Sequence, residues 1–162
     1  MLSSDAVVHE LYRRPQVRDA VIERVGPQVL DAAGEVDRAA LGSLAFVDPA
    51  LLDDLERLVH PLVAVETERF RREAELAGAR VAVHENPLLF ERGGADRYDR
   101  TVLITAPDEL RRARDPERFD RRRAHQMPEA EKRALADEVY VNDGSLEALD
   151  AWVAGLLARL AE

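Results

Sequence analysis

The chain has 162 residues, 46% hydrophobic and 34% charged, with a formal charge of −9 and no cysteine. That length and apolar content suit one globular core and exclude a disordered chain. The acidic balance argues against general nucleic-acid binding, and the missing cysteine excludes disulfides and thiolate metal sites.

No apolar run approaches the roughly 18–20 residues needed to cross a bilayer, and MLSSDAVVHELYRR has neither a basic leader nor an apolar signal core. A soluble cytoplasmic protein is expected, with no membrane or nucleic-acid partner and an open oligomeric state.

In chain order, Ser3 or Ser4 can cap a first helix whose apolar stripe is Val7, Val8 and Leu11. A second helix opens at Pro15, which suits a first helical position, and stops at Gly26–Pro27. A short helix covers Arg38 to Phe46. Asp48 then caps a long helix carrying Leu51, Leu52, Leu55, Leu58, Val59 and Leu62 on one side, which Pro61 should kink or interrupt and Gly78 ends. The run from Leu11 to Gly78 reads as all helical, a helical subdomain inserted into the rest.

Beyond it the hydrophobic period changes. Residues 79–84 (ARVAVH), 101–105 (TVLIT) and 138–141 (EVYV) read as short strands, with helices starting near Pro107, Pro116 and Pro128 between the last two. A final amphipathic helix, capped by Ser145, carries Leu146, Leu149, Trp152, Val153, Leu156, Leu157 and Leu160 on one face. Helices between strands predict an α/β protein with a parallel sheet.

Two stretches carry chemistry. The apolar strand before Asn86 ends on Glu85, and ligands of open α/β sheets bind beyond the carboxyl ends of strands. Glu85 can hold a magnesium ion or its waters there, or can merely end a strand. Arginines crowd RRARDPERFDRRR, residues 111–123, where Lys132 is the chain's only lysine. A planar guanidinium suits bidentate contact with phosphate, although such a run also suits a solvated helix face. His9, His60, His84 and His125 lack the spacing of a zinc site.

Pro87-Leu88-Leu89-Phe90-Glu91 resembles the PLLFE signature of the dephospho-coenzyme A kinases. Ser4-Asp5-Ala6 with His9-Glu10-Leu11 is similar to that family's aspartate-rich turn and first helix. Leu55-Glu56 with His60-Pro61 resembles its LE…HP element, and Thr105-Ala106-Pro107 the turn into its lid. Gln126-Met127-Pro128, Lys132 and Ala136-Asp137 resemble the segment after the lid, and Asn142-Asp143-Gly144-Ser145 the closing loop. Seven short matches in one order cover nearly all of the chain.

The resemblance implies a P-loop kinase fold, with a helical substrate domain over residues 11–78 and a lid over 108–127. The implied reaction moves the γ-phosphoryl of ATP, with Mg2+, onto the ribose 3′-hydroxyl of dephospho-coenzyme A. By the same resemblance Asp5 is the catalytic carboxylate, and Arg114, with Arg118 as second choice, contacts phosphate; Arg121 or Arg122 could substitute in a shortened lid. His60, Pro87, Leu88 and Leu89 fall on the substrate side, and Asn142 and Gly144 in the loop that passes the adenine. Glu85 is the candidate for magnesium. A non-catalytic coenzyme A-binding module and another small-molecule P-loop kinase are the alternatives.

A kinase of this type uses GxxxxGK[ST] to wrap phosphates with backbone N–H groups and a lysine. The sequence holds no such motif: Lys132 follows Glu131 on a polar helix, and Gly93-Gly94 precedes Ala95 and Asp96. The expectation is therefore a chain that begins near the end of the family's second strand, a fragment or a reading frame started at an internal methionine, lacking about 25–30 residues by the size of a βαβ unit.

Overall fold

The computed structural model describes residues 1–116, 119–120 and 126–161. The chain divides into two units, Met1–Asn86 and Pro87–Glu162, each built on its own parallel pair of strands.

In the first unit, β1 (Leu2–Ser3) pairs in parallel with β2 (His84–Glu85), Leu2 against His84 and Ser3 against Glu85. The Leu2 N–H also donates to the Val83 carbonyl at 2.8 Å. The strand expected over 79–84 shrinks to its last residue and shifts onto Glu85. The two-residue β1 gives it no longer partner, and a strand needs a ladder rather than propensity alone.

β1 runs directly into α1 (Ser4–Tyr12), followed by α2 (Pro15–Val25), with Pro15 at its first turn and Gly26 at φ +93° beyond its end. α3 (Arg38–Val47) and α4 (Pro49–Leu76) are capped by the carboxylates of Asp37 and Asp48, each accepting two backbone N–H bonds. Pro61 does not end α4, because it removes one N–H donor while the turns on either side keep theirs. Gly78, at φ +65°, follows its last turn.

The stretch from Leu11 to Gly78 is not all helical. Leu30 and Val36 form an antiparallel bridge, closed by Asp31, whose Oδ1 accepts the N–H groups of Ala33 and Glu35 at 2.8 and 3.0 Å. An aspartate that satisfies backbone donors within its own turn competes with helix.

The core of this unit is Val21, Val29, Leu41, Ala45 and Leu55, ringed by Tyr12, Val25, Val36, Leu51 and Leu58. Of the stripe expected on α4, Leu55 and Val59 are buried while Leu52 faces outward. Further along α4 the buried Glu66 pairs with Arg14 at 2.5 Å and Arg69 at 2.8 Å, tying the start of α2 to the middle of α4. Those guanidinium partners hold its carboxyl below the usual range, led by the Arg14 hydrogen bond.

In the second unit, β3 (Val102–Thr105) and β4 (Glu138–Val141) pair in parallel, residue for residue from Val102–Glu138 to Thr105–Val141. Between them lie α5 (Asp108–Arg114) and α6 (Glu129–Leu135), and α7 (Leu146–Leu160) follows. The helix expected near Pro116 falls largely outside the described residues.

Asp137 clamps the start of this ladder, its Oδ2 accepting Thr101 N–H at 2.7 Å and Thr101 Oγ1–H at 2.8 Å. Asn142 closes its end, donating N–H to the Thr105 carbonyl at 2.7 Å. On α7, Leu156 is buried and Trp152 stacks on Tyr140 at 4.7 Å between centroids. Leu146, Val153 and Leu157 of the predicted apolar face are exposed, because a two-stranded ladder is too narrow to cover the whole face. The described residues thus form an α/β arrangement of parallel strands and helices, in two ladders rather than the single sheet the periodicity suggested.

Candidate functional site

The carboxyl ends of β1 and β2 bring two of the expected residues together. Ser3 lies opposite Glu85, and Asp5 follows in the first turn of α1, so both carboxylates sit at the same end of one parallel pair. Both are exposed. Chain direction produces this placement: a strand that passes straight into a helix puts the helix's first turn at the strand's carboxyl end.

Side chains fix the local register. Ser3 Oγ donates to Glu85 Oε2 at 2.6 Å, and Ser4 Oγ lies 2.9 Å from His84 Nε2. The Ser3 hydroxyl is thereby diverted from capping α1, whose N-terminus has no side-chain cap. Burial pushes the His84 imidazole below its usual range, with Glu85 acting in the opposite sense. The sequence offered no motif for His84, Ser3 or Ser4 in this role, since a two-residue ladder gives no periodic signal.

Asp5 and Glu85 form a sparse donor set. Among the described residues no group of three or more His, Cys, Asp and Glu side chains converges to cage a metal. A strand-end carboxylate such as Glu85 has the oxygen chemistry of a magnesium ligand, because magnesium keeps several waters and takes one or two carboxylates plus phosphate oxygens. His60 stands exposed on α4 beside Pro61.

The other expected residues belong to the second unit. Pro87 is exposed, Leu88 and Leu89 are half-buried, and Phe90 is buried. The turn is closed by Gly94 N–H donating to the Leu89 carbonyl at 3.0 Å. A Cβ at Gly94 would come within 3.2 Å of Leu89 Cδ1, so this glycine lets the turn lie close to its own leucine. Asn142 lies at the carboxyl end of the β3–β4 ladder, and Gly144 follows in the exposed loop before the Ser145 cap.

The arginine run splits into paired and unpaired members. Arg111 and Arg112 both lie over the Phe119 ring, 5.6 and 4.6 Å from its centroid. Arg111 pairs with Asp108 and, at 3.4 Å, with Glu129, while Arg112 grips Asp120 through two contacts of 3.2 Å. Arg114, the last residue of α5, is exposed and has no acidic partner among the described residues. Among the described residues it is the arginine of α5 without a carboxylate partner, whereas Arg111 and Arg112 are paired. Arg118, Arg121 and Arg122 lie outside the described residues.

Glu91 and Lys132 went unassigned by the sequence reading beyond their place in motifs. Lys132, expected on a polar helix, is buried instead, with Nζ 2.5 Å from Glu91 Oε1. The same oxygen accepts the Met127 N–H at 3.1 Å. Burial pushes the Glu91 carboxyl up, but the Lys132 and backbone hydrogen bonds outweigh it and leave the group below its usual range.

Comparison with known proteins gives these motifs their context. A model of the dephospho-CoA kinase family matches residues 1–148. A dephospho-CoA kinase of Rhodopseudomonas palustris is 39% identical over 166 residues, covering 98% of this chain and 82% of its own length. One from Mesorhizobium japonicum is 39% identical, with 97% and 82% covered. Among solved structures, the crystal structure of TT1252 from Thermus thermophilus superposes with a TM-score of 0.69 at 35% identity, over 98% of this chain and 83% of that one. Dephospho-CoA kinase from Campylobacter jejuni shares the fold at a TM-score of 0.69 and 20% identity, over 99% and 84%. With its signature turn, the acid-ended strand before it and a family match over most of its length, the chain belongs to the dephospho-CoA kinase family.

Proposed function

We propose that this chain carries the acceptor side of ATP-dependent phosphoryl transfer to the 3′-hydroxyl of dephospho-coenzyme A, the reaction that yields coenzyme A and ADP. The observation that carries the reading is the parallel register of Ser3 with Glu85, which sets Asp5 and Glu85 at one strand end in a chain of this family.

Asp5 orients the acceptor hydroxyl and takes its proton as the new P–O bond forms and the bond to the β-phosphate oxygen breaks. An exposed carboxylate is a weak base, so orientation is the larger part of its contribution. Glu85, steadied by Ser3 Oγ–H, is the residue that would hold magnesium or its waters. Magnesium, when bound, would neutralise charge on the phosphate oxygens. Arg114 meets the polyphosphate with a guanidinium that has no carboxylate partner among the described residues, supplying charge where it develops in the transition state. The family resemblance assigns Asn142 and Gly144 to adenine and His60, Pro87, Leu88 and Leu89 to the acceptor. Residues 11–78 serve as the substrate-binding portion and 108–127 as the lid.

The phosphate-wrapping loop is not supplied by these residues. Their sequence holds no GxxxxGK[ST], and the only lysine is committed to Glu91 inside the second unit. This favours a second reading, a module that binds the acceptor without turning it over, for the 162 residues acting alone.

Calorimetry with dephospho-coenzyme A and a coupled ADP assay with ATP and magnesium separate the readings. Binding without turnover is expected, and Asp5→Asn should leave binding within about twofold, because orienting a hydroxyl matters to the reaction more than to affinity. Folded protein that binds no dephospho-coenzyme A would remove the acceptor-site reading. Steady turnover would overturn the account of the missing loop.

A further inference from the structure

A chain of contacts inside the second unit leads from the signature glutamate to Arg114. Glu91 Oε1 receives both Lys132 Nζ at 2.5 Å and Met127 N–H at 3.1 Å. The two charged side chains are only 13% and 11% exposed, and Glu91 Oε2 is buried without a hydrogen-bond partner among the described residues. A desolvated pair of this kind is strongly disfavoured from opening, since either charge left alone stays buried.

Lys132 and Glu129 lie three residues apart on α6, so they are neighbours on one helix face. Glu129 Oε2 reaches Arg111 of α5 at 3.4 Å, and Arg111 also pairs with Asp108 in its own first turn. Arg111 and Arg114 are again three residues apart, on a helix of only seven residues. Holding α6 against Glu91 therefore also constrains α5 and the direction in which Arg114 projects.

The residue type at position 132 supports the same assignment. Of 23 basic residues, only this one is lysine. An ammonium brings three donors to this buried site, whereas a planar guanidinium would bring five and leave more of them unsatisfied there.

We propose that Glu91 and Lys132 are positioning residues: they clasp α6 and the segment entering it at Met127 and, through Glu129–Arg111, hold the helix that presents Arg114 to a polyphosphate. The inference rests on the reading of Arg114 as a phosphate contact and adds the machinery that aims it.

The test uses the full 162-residue chain and two readouts, hydrogen exchange at individual amides and calorimetry with inorganic tripolyphosphate. Glu91→Gln keeps an acceptor for Met127 N–H while weakening the ion pair. The swap Glu91→Lys with Lys132→Glu restores opposite charges but offers Met127 no acceptor from position 91. Exchange at Met127, referenced to Asn142 in the ladder, should stay near wild type in Glu91→Gln and quicken about tenfold in the swap, the factor for losing roughly 1.4 kcal/mol of hydrogen bonding. Tripolyphosphate affinity should fall about tenfold in Arg114→Ala, the loss of one charge-assisted contact, and several-fold in Glu91→Gln.

Unchanged Met127 exchange in a folded swap variant would overturn the clasp. Tripolyphosphate binding that is lost in Arg114→Ala but equal to wild type in Glu91→Gln and in Lys132→Met would overturn the positioning role alone. A wild-type chain that binds no tripolyphosphate, or an Arg114→Ala variant that binds it unchanged, would remove the phosphate reading of Arg114 and the positioning role with it.

Discussion

The two strand pairs solve the same problem in opposite ways. β3 and β4 pair over four residues each, with Asp137 clamping one end and the Asn142–Thr105 bond closing the other. β1 and β2 pair over only two residues each and lean on the hydroxyls of Ser3 and Ser4. In the longer pair the groups that hold the ladder are backbone N–H and carbonyl groups and the Asp137 carboxylate at its start, which is not a candidate site residue. In the shorter pair the holding groups touch Glu85 and adjoin Asp5, so stability and candidate chemistry share side chains. Substitutions should therefore separate the two functions in the second unit and entangle them in the first.

Their buried ion pairs differ as well, and the largest expected effect comes from that difference. Lys132→Met leaves Glu91 desolvated with no other cation beside it among the described residues and should cost about 3–5 kcal/mol, as for breaking a buried pair. Urea unfolding followed by Trp152, the only tryptophan, reads this unit directly. A loss below about 1 kcal/mol would place the pair with ordinary surface bridges.

Asp137→Ala comes next. It strips an acceptor from both the N–H and the hydroxyl of buried Thr101, and the urea midpoint should fall by less than for Lys132→Met in the same measurement.

Arg14→Ala should cost less, about 1–2 kcal/mol, because Arg14 is half-exposed and Arg69 stays on Glu66. Far-UV circular dichroism of thermal unfolding reads this more helical unit. An effect equal to that of Lys132→Met would mean that Arg69 gives no compensation.

Ser3→Ala should cost at most about 1 kcal/mol, since its bond to Glu85 is exposed. Its informative effect is on ligand binding: dephospho-coenzyme A affinity should change more than stability does, whereas the reverse would make Ser3 merely structural.

Acid should act on both units in one direction. The carboxyls of Glu66 and Glu91 lie below the ordinary value of 4.5 in the folded chain, so the unfolded chain takes up protons first as pH falls. Their contribution is complete above about pH 4.5 and is lost as pH drops through the folded values. Melting temperatures measured from pH 6 to pH 3 should decline below about 4.5, and a flat profile would contradict it.

Much of this molecule was legible in its sequence because local chemistry decided it. Pro15, the Asp37 and Asp48 caps and Gly78 bound helices through their own backbone and side-chain preferences, and EVYV is a strand wherever it finds a partner. The signature turn at Pro87 and the acid ending the strand before it identified the family without any coordinates. Other features depend on what lies far away in the chain. The strand over 79–84 shortened because β1 offers two residues, and Asp5 lies at the same strand end as Glu85 because Leu2 and Ser3 pair in parallel with residues some 80 positions later.

Lys132 shows the division most clearly. By sequence it was one more charge on a polar helix, and composition could say only that it was alone. Its burial against Glu91, 41 residues earlier, followed from packing, and packing also gave Arg111 and Arg112 carboxylate partners among the described residues. Periodicity and capping are properties of neighbours in sequence, whereas the partner of a charge is a property of neighbours in space. The sequence by itself therefore determined the family and most helix boundaries, while the tertiary structure decided which charged groups are buried and paired.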